Sequence, residues 1–351
     1  MFEHPDYQGH ETVLFGHDPE SGLRAVIAIH NSARGPGLGG LRMRDYASEH
    51  EALADVLRLS RGMSYKNAMA GLPHGGGKAV ILGDPETLRT PSLMRAMGRL
   101  VESLGGRYIT AQDSGVRVED LRQLAQTTAH VTGLKASRGP DGEERTGDPS
   151  PATAVGVYHG IRACLEAVFG SGDPAGRSIA IQGVGSVGLR LAQALHAAGA
   201  RLLVADIHAG RAQDAADRFG AEVLPVASIH AAQVDVFAPC ALGGAINGDT
   251  IDGLRARIVA GAANNQLARP EFGAALRNAG ILYAPDYVIN AGGVIDVAAQ
   301  LGNYRPQQVH ARVVAIADTL RTIFREATSN GLQPEQVADR LAEQRMRQPS
   351  A

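Results

Sequence analysis

Two lysines, Lys66 and Lys78, stand twelve residues apart, and three glycines immediately precede the second. Glycines carry no side chain, so the backbone and the ammonium group can both approach a small ligand closely. Two ammonium groups favour a carboxylate ligand. Desolvation and a second nearby cation lower the pKa of a buried lysine, which makes it a usable base near pH 7. We therefore predict Lys78 as a general base. The alternative is a pair of exposed lysines in a loop.

A second motif lies in the other half of the chain and has the order strand, glycine-rich turn, helix, strand, acid: Ser178–Gln182, Gly183-Val184-Gly185-Ser186-Val187-Gly188, a helix through Leu195, and a strand ending at Asp206. Gly183 would make the tight turn, Gly185 would let the backbone reach a pyrophosphate, and Gly188 would permit close packing of helix on strand. Asp206 would bind the adenosine ribose hydroxyls and repel a 2′-phosphate. The motif predicts a dinucleotide site that favours NAD over NADP.

The elements that must position these residues alternate between strand-like and helix-like patterns. Before residue 130 we predict strands at 23–30, 79–82 and 107–111, and helices at 49–63, 91–104 and 118–127. Residues 135–149 are polar and rich in turn formers, which is typical of a linker, and a long helix follows from 150 to about 169. Further short strands at 222–224, 234–238, 257–261 and 281–283 would complete a doubly wound parallel sheet.

The chain has 351 residues, which exceeds the size of a single hydrophobic core and favours two domains. The predicted fold class is α/β. Residues 1–140 would form an α/β substrate domain, with helices at about 325–351 packing back on it, and residues 150–324 a Rossmann-type NAD-binding domain. Together the two sites suggest an oxidoreductase that transfers hydride from a small carboxylate-bearing substrate held in the cleft between the domains.

Composition excludes several classes of function. The net charge is −2 and the pI is about 6.6, so no basic surface is expected for nucleic acid. No run of 18 apolar residues predicts a membrane span, and no export signal is recognised at the N-terminus. Two cysteines, Cys164 and Cys240, fit a reduced interior, so we expect a cytoplasmic protein. No cysteine or histidine pair has the spacing of metal ligands, and no metal site is predicted.

Six segments are similar to the motifs of the glutamate, leucine, phenylalanine and valine dehydrogenases, with the leucine dehydrogenases as the nearest branch. These enzymes oxidatively deaminate amino acids with NAD or NADP. The segments span nearly the whole chain: Gly39–Met43, Met63–Ala68, Leu72–Lys78, Tyr108–Asp113, Thr146–Ala154 and Asn290–Val294.

The resemblance implies roles for three residues. Lys66 would hold the substrate α-carboxylate, Lys78 would be the base that activates water, and Asp113 would bind the amino group and assist proton transfer. From its sequence context alone, Asp113 would more often be a capping or surface aspartate. Other residues implied for the substrate site are Leu38, Gly39, Gly40, Met63, Ala111, Thr132, Asn290, Val294 and Val297. Those expected at the cofactor, beside Gly183–Gly188 and Asp206, are Thr153, Cys240, Ala241, Ala262 and Asn264.

Two positions bear on the substrate. Glutamate-specific relatives have a lysine before the paired glycines, whereas this chain has Leu38, so an acidic side chain would be buried without a partner. Ala111 leaves less room than the glycine of phenylalanine-selective relatives. The resemblance thus implies leucine, valine or isoleucine, converted reversibly to the 2-oxo acid and ammonia by a homo-oligomer. The alternatives are a phenylalanine or tryptophan dehydrogenase and, in another class, a non-catalytic NAD-binding sensor.

Overall fold

Two sheets organise the chain in the computed structural model, which describes residues 2–135, 137–138, 144–145, 148–241, 243–302 and 304–348. Each sheet belongs to its own unit. Unit 1 consists of Met1–Asp148, Asp296–Gln308 and Leu341–Ala351, and unit 2 of Pro149–Ile295 and Val309–Arg340. Within the described ranges, no helix is both long enough and apolar enough to cross a membrane.

Unit 1 begins with a five-stranded sheet and its helices. In chain order its elements are β1 (Thr12–Asp18), β2 (Leu23–Asn31), β3 (Gly37–Arg44), α1 (Glu49–Met69), β4 (Gly75–Leu82), α2 (Pro85–Leu88), α3 (Pro91–Glu102), β5 (Tyr108–Gln112), α4 (Val118–Leu124), β6 (Ser137–Arg138) and β7 (Glu144–Arg145). The strand order is β1-β2-β4-β3-β5. The pairs β1–β2 and β2–β4 are antiparallel, while β3 runs parallel to both β4 and β5.

Helices cover both faces of this sheet. Helix α1 begins where the Ser48 side chain accepts a hydrogen bond from the Glu51 backbone N–H, and its residues Val56 and Leu57 pack into an apolar cluster with β2 and β4. On the other face, α3 and α4 pack on residues of β2, β3 and β4 in a second cluster. Because α1 lies against the sheet along its length, any side chain that β3 and β4 direct towards α1 is removed from bulk water.

Unit 2 contains the parallel sheet. The remaining elements are α5 (Ser150–Phe169), β8 (Ser178–Gln182), α6 (Ser186–Ala197), β9 (Arg201–Ala205), α7 (Ala209–Phe219), β10 (Glu222–Val223), β11 (Val236–Pro239), β12 (Ile258–Val259), α8 (Glu271–Asn278), β13 (Leu282–Tyr283), α9 (Asp286–Ile289), α10 (Gly292–Ala299), α11 (Pro306–Val314), α12 (Ile316–Asn330) and α13 (Pro334–Met346). The order β10-β9-β8-β11-β12-β13, with every pair parallel, confirms the predicted doubly wound sheet.

The glycine run before Lys78 is part of a strand. The strand predicted from Ala79 begins instead at Gly75, and the helix predicted to end at Met63 continues to Met69. The reason is tertiary: a Cβ atom at Gly76 would overlap the backbone of Ser64 in α1, so strand and helix can approach this closely only at a glycine. Both lysines therefore lie on regular elements, Lys66 in α1 and Lys78 in β4, and the loop alternative is wrong.

The C-terminal helices divide between the units. The sequence predicts that residues from about 325 pack on the first domain, but only the stretch from Leu341 belongs to unit 1. Helix α12 lies on α5 instead, because two glycines on α5 make room for its apolar side chains. A Cβ atom at Gly156 would lie 2.8 Å from Ile316, and one at Gly160 would lie 3.1 Å from Leu320. Of the predicted linker, residues 136, 139–143 and 146–147 lie outside the described residues.

Candidate active site

Lys78 and Asp113 form an ion pair in unit 1. Lys78 lies on β4 and its side chain is only 7 % exposed, and its Nζ atom is 2.5 Å from Oδ2 of Asp113, which follows β5. Strand β3 runs between β4 and β5, and it carries Gly40 opposite Ala111 of β5. A Cβ atom at Gly40 would lie 2.8 Å from the Asp113 Cβ atom. A glycine in the middle strand therefore leaves the room in which the two charged side chains meet.

Arg42 is a second cation in contact with the same carboxylate oxygen of Asp113. The Nε atom of Arg42 lies 3.2 Å from Asp113 Oδ2, and the Asp113 side chain is 22 % exposed. Burial on its own raises the pKa of Asp113, but the positive charges of Lys78 and Arg42 outweigh it and lower the pKa to about 2. Asp113 is consequently a carboxylate at neutral pH. The charged group in contact with Lys78 is thus an anion, whereas the sequence suggested a second ammonium group.

Arg42 and Asp55 extend the pair into a network that the sequence analysis missed. The Arg42 Nη1 atom lies 3.0 Å from Asp55 Oδ2, which also accepts a hydrogen bond from the Tyr46 hydroxyl at 2.7 Å. Burial on its own lowers the pKa of Arg42, but the negative charges of Asp113 and Asp55 outweigh burial and raise the pKa. The signal that could have found Arg42 is strand alternation, because residues two apart share one face and Arg42 follows Gly40 by two.

Lys66 lies in the last turn of α1, and its two neighbours in the chain, Tyr65 and Asn67, are hydrogen-bonded to other elements. The Asn67 side-chain amide donates to the carbonyl oxygens of Leu38 (3.1 Å) and Gly75 (2.6 Å), and it is wholly buried. The Tyr65 hydroxyl donates to Glu343 of α13 at 3.0 Å. These contacts fix the orientation of the turn that carries Lys66.

The other residues of unit 1 that were expected at the substrate site lie around the same strands. Leu38 is wholly buried in β3, and a Cβ atom at Gly39 would lie 3.2 Å from the Met63 side chain of α1. Thr132 is hydrogen-bonded to β5 through its N–H and the Thr110 carbonyl at 2.9 Å, and its hydroxyl donates to the Val297 carbonyl at 3.0 Å. Ala111, Thr132 and Val297 are all buried. Asn290 and Val294 belong to unit 2.

The glycine-rich loop of unit 2 turns at Gly183, whose φ of 95° favours glycine. A Cβ atom at Gly188 would overlap the Gly183 carbonyl oxygen, whereas one at Gly185 would meet no described atom within 4 Å. Ser186 and Val187 begin α6, so their N–H groups lie at a helix N-terminus, where anions bind well. Gly183 therefore shapes the turn, Gly188 allows the close packing, and Gly185 leaves open space.

A cavity of about 450 Å³ adjoins this loop, and its lining includes Gly183, Gly185, Asp206, Cys240 and Ala241. Asp206 accepts hydrogen bonds from the N–H groups of Val184 (2.9 Å) and His208 (2.8 Å), which hold the carboxylate beside the loop. Arg211, which the sequence analysis did not single out, also lines the cavity. A dinucleotide fits these residues, since open space, a helix N-terminus and a carboxylate meet at the carboxyl ends of parallel strands.

Asn264 and Asn290 meet at the end of β12. The Asn290 side-chain amide donates to the Ala262 carbonyl at 3.2 Å and to Asn264 Oδ1 at 2.9 Å, while its own Oδ1 atom is buried with no partner among the described residues. Thr153 on α5 donates to the Pro149 carbonyl at 2.9 Å, and a Cβ atom at Gly293 would lie 2.6 Å from its Oγ1 atom. This brings Thr153 next to the Asn290–Val294 segment.

Gln266 shapes the loop that carries Asn264. Its buried side-chain amide donates to the carbonyl oxygens of Gly261 (2.8 Å) and Ala263 (3.1 Å). The sequence offered no signal for this residue, because a glutamine in a loop is ordinary. Among the described residues, no group of three histidine, cysteine, aspartate or glutamate side chains could hold a metal ion.

Lysine is scarce in this chain. Only three lysines, Lys66, Lys78 and Lys135, occur among its 34 lysines and arginines. Two of the three lie in the site just described, and Lys135 is exposed. Arginine carries almost all of the remaining positive charge, although an arginine could not lose its proton to act as a base.

Two family models match the chain. The model described as the Glu/Leu/Phe/Val dehydrogenase dimerisation domain matches residues 10–130, and the Glutamate/Leucine/Phenylalanine/Valine dehydrogenase model matches residues 202–338. These matches cover more than half of the chain.

Individual relatives match over nearly the full length. The chain is 46 % identical to the leucine dehydrogenase of Geobacillus stearothermophilus, over 99 % of this chain and 93 % of that enzyme. It is 48 % identical to the valine dehydrogenase of Streptomyces coelicolor, over 98 % and 94 %. The crystal structure of L-tryptophan dehydrogenase from Nostoc punctiforme is similar with a TM-score of 0.81 and 43 % identity, over 96 % of both chains.

Proposed function

Because the chain belongs to the glutamate, leucine, phenylalanine and valine dehydrogenase family, we propose that it catalyses the reversible, NAD-dependent oxidative deamination of leucine, valine or isoleucine to the 2-oxo acid and ammonia. The observation that carries this proposal is the buried pair of Lys78 and Asp113, with 2.5 Å between Nζ and Oδ2. An amine and a carboxylate in direct contact can hold and pass a proton, which this reaction requires. A non-catalytic sensor would have no use for the pair.

The residues of unit 1 divide the work on the substrate. Lys66 binds the α-carboxylate, and the Asp113 carboxylate accepts a hydrogen bond from the α-amino group. When bound, NAD supplies the acceptor for the hydride on the substrate Cα atom. The substrate ammonium group and Lys78 each release one proton to solvent, and Lys78, then a neutral amine, takes a proton from the water molecule that attacks the resulting iminium carbon. Collapse of the carbinolamine then releases ammonia and the 2-oxo acid.

In the proposed enzyme, residues of unit 2 bind NAD. The N–H groups of the Gly183–Gly188 loop would bind the pyrophosphate, with Thr153, Cys240, Ala241, Ala262 and Asn264 as further contacts. Asp206 supports NAD over NADP, because its carboxylate would repel a 2′-phosphate. The neighbouring Arg211 is the one cation among the lining residues of this cavity in the described part of the chain. We therefore expect NADH to be used at least about tenfold better than NADPH in kcat/KM, a difference of about 1.4 kcal/mol.

The substrate class rests on Leu38 and Ala111. Leu38 brings an apolar side chain to a wholly buried position of β3, and Ala111 adds a methyl group opposite Gly40. Burying an unpaired carboxylate against such residues is unfavourable by several kcal/mol, so glutamate is disfavoured. An aromatic substrate is the second candidate, because one of the similar solved structures is an L-tryptophan dehydrogenase.

The test is NADH oxidation with 2-oxo acids in the presence and absence of ammonium. We expect turnover with 4-methyl-2-oxopentanoate and 3-methyl-2-oxobutanoate, only with ammonium, and slower turnover with phenylpyruvate and indolepyruvate. Ammonium-independent turnover would contradict the proposed reaction. A preference for indolepyruvate would agree with the proposed reaction but would show that the substrate is aromatic rather than branched-chain.

We further propose that the protein is a cytoplasmic homo-oligomer. The matched family model is described as a dimerisation domain, and both cysteines, Cys164 and Cys240, are free. Light scattering coupled to size-exclusion chromatography would test the assembly. A mass of a single 36.7 kDa chain at micromolar concentration would contradict it.

A further inference from the structure

We propose that Arg42 is a positioning residue that keeps Asp113 in its carboxylate form and in contact with Lys78, with Asp55 as the anchor of Arg42. The proposal deepens the proposed function and rests on it. Arg42 is not placed in contact with the substrate, so it acts through Asp113.

The first argument is geometric. Arg42 reaches two carboxylates with different atoms, Nε to Asp113 at 3.2 Å and Nη1 to Asp55 at 3.0 Å. A guanidinium group is planar and rigid, so binding at two edges fixes its position more firmly than one contact would. Asp55 is itself held by the Tyr46 hydroxyl at 2.7 Å. The Asp113 oxygen that contacts Lys78 is therefore supported by a chain of contacts reaching back into α1.

The second argument is charge balance. Arg42, Asp55 and Asp113 are each about four-fifths buried, at 18 %, 22 % and 22 % exposed. With Lys78, they make two cations and two anions in one partly desolvated region. Removal of one cation from such a set leaves an anion without full compensation, and burial then favours its protonated form.

The groups that face Asp113 come from three strands. In the described part of the chain they are Lys78 on β4, Arg42 on β3 and the Tyr108 hydroxyl on β5, with Asp55 of α1 behind Arg42. Burial raises the pKa of Tyr108, so it remains a neutral phenol. Lys78 loses and regains a proton during the proposed reaction. Arg42 is thus the one permanent positive charge in contact with Asp113, because a guanidinium group does not lose its proton.

This arrangement has a chemical consequence. While Lys78 is neutral, Asp113 has only Arg42 to compensate its charge. A protonated Asp113 could not bind the substrate amino group as an anion. Arg42 therefore keeps the Asp113 carboxylate available to the substrate amino group at the stage of the reaction when Lys78 has lost its charge.

The test compares Arg42→Gln with Arg42→Lys, which keeps the charge but loses the second contact, and with Arg44→Gln. Arg44 is a matched control, because it lies on the same strand, is 57 % exposed and pairs with Glu51. We expect Arg42→Gln to lower kcat at least about tenfold, with NADH affinity unchanged. Arg42→Lys should recover part of the loss, and Arg44→Gln should match the unsubstituted enzyme.

A second measurement needs no turnover. In the unsubstituted protein the folded-state pKa of Asp113 is below its unfolded value, so its stability contribution is lost on acidification. In Arg42→Gln the folded pKa of Asp113 rises, and the folded state takes up a proton as the pH falls. The deficit in the melting temperature of Arg42→Gln should therefore narrow as the pH falls from 5 to about 2.5, between the unfolded and folded pKa values of Asp113, and the narrowing should shrink in Arg42→Gln/Asp113→Asn.

The outcomes separate the two proposals. A deficit that stays constant as the pH falls from 5 to about 2.5, or a narrowing that survives replacement of Asp113 unchanged, would show that Arg42 only stabilises the fold. Loss of ammonium-dependent turnover in the unsubstituted enzyme would overturn the proposed function, while the melting data would still decide the role of Arg42. If Arg42→Gln does not fold, Asp55→Asn replaces it and should give the same narrowing, smaller in size.

Discussion

Gly75–Gly77 in unit 1 and Gly183–Gly188 in unit 2 are both glycine-rich, yet they have different surroundings. The first segment lies inside β4, where Cβ atoms would overlap Asn31, Ser64 or Tyr108, so protein atoms already fill the space. The second segment is a turn with a positive φ at Gly183 and open space at Gly185. A glycine run can therefore mark either a place where the chain packs on itself or a place kept clear for a ligand.

The difference assigns separate tasks to the two segments. In unit 1 the glycines let α1 and the strands approach, so that Lys66 and Lys78 are carried by rigid elements. In unit 2 they expose backbone N–H groups at the start of α6. Four substitutions test this comparison, in decreasing order of expected effect.

The largest effect is expected for Lys78→Ala, which removes the proposed base from the packed segment. We expect kcat to fall about 10³- to 10⁴-fold, the upper range for loss of a general base, with NADH affinity nearly unchanged. Steady-state kinetics and a fluorescence titration with NADH measure the two quantities. Lys135→Ala, which removes an exposed lysine, is the control and should keep full activity. Normal turnover of Lys78→Ala would contradict the assignment.

The next largest effect is expected for Gly76→Ala. Its methyl group would overlap the Ser64 backbone, so α1 must shift away from β4. We expect a loss of about 3 kcal/mol or more in the free energy of unfolding, the upper range for overpacking. Denaturant titration measures it. Gly62→Ala is the matched control, because Gly62 lies in α1 with no described atom near its Cβ position, and alanine there should stabilise by about 0.5–1 kcal/mol. Equal stability of Gly76→Ala and Gly62→Ala would contradict the close packing of protein atoms around Gly76.

A smaller effect, on affinity rather than stability, is expected for Gly185→Ala. The φ of −73° suits alanine, and the methyl group enters open space, so the melting temperature should not change. The space is the one proposed for the pyrophosphate, and we expect NADH affinity to weaken about tenfold, or 1.4 kcal/mol. A lower melting temperature with unchanged affinity would mean that this loop, like Gly75–Gly77, is packed by protein.

The smallest effect is the loss of folding stability in acid that we expect from His30, which lies beside the packed segment Gly75–Gly77. His30 Nδ1 lies 2.9 Å from Ser64 Oγ, beside Gly76, and burial, followed by the charges of His10 and Arg61, lowers the His30 pKa to about 4. The unfolded chain binds a proton near pH 6.5 and the folded chain does not, so stability falls as the pH drops from 6.5 towards 4. We expect a loss of about 1 kcal/mol from pH 7 to pH 5.5.

Denaturant titrations at the two pH values would measure this loss. His30→Gln should flatten the pH dependence, whereas His17→Gln, which replaces an exposed histidine, should not. If His30→Gln keeps the full slope, the acid sensitivity arises elsewhere.

The parallel sheet of unit 2 could be predicted because its signal is local. Strand, glycine turn, helix and Asp206 follow one another within about thirty residues, so sequence order and spatial order coincide. The family motifs likewise identified the dehydrogenase family. Gly75–Gly77 was expected in a loop because a glycine run has low strand propensity, and only the contact with α1 explains it.

The network around Asp113 could not be predicted for a related reason. Lys78, Arg42 and Asp113 stand on three strands whose spatial order, β4-β3-β5, differs from their order in the chain. Without that order, Asp113 is one aspartate before a turn and Arg42 one arginine among many. The roles of the site residues stay predictions that the experiments above can test.

The scarcity of lysine has a practical consequence. Reagents that attach dyes, supports or cross-linkers to primary amines do not modify arginine, so the side chains open to them are those of Lys135, Lys66 and Lys78. Lys135 is exposed, whereas the Lys78 side chain is 7 % exposed. Among the side chains, mild labelling should therefore modify Lys135 first. Harsher labelling would report on the site itself, because substrate bound at Lys66 would compete with the reagent.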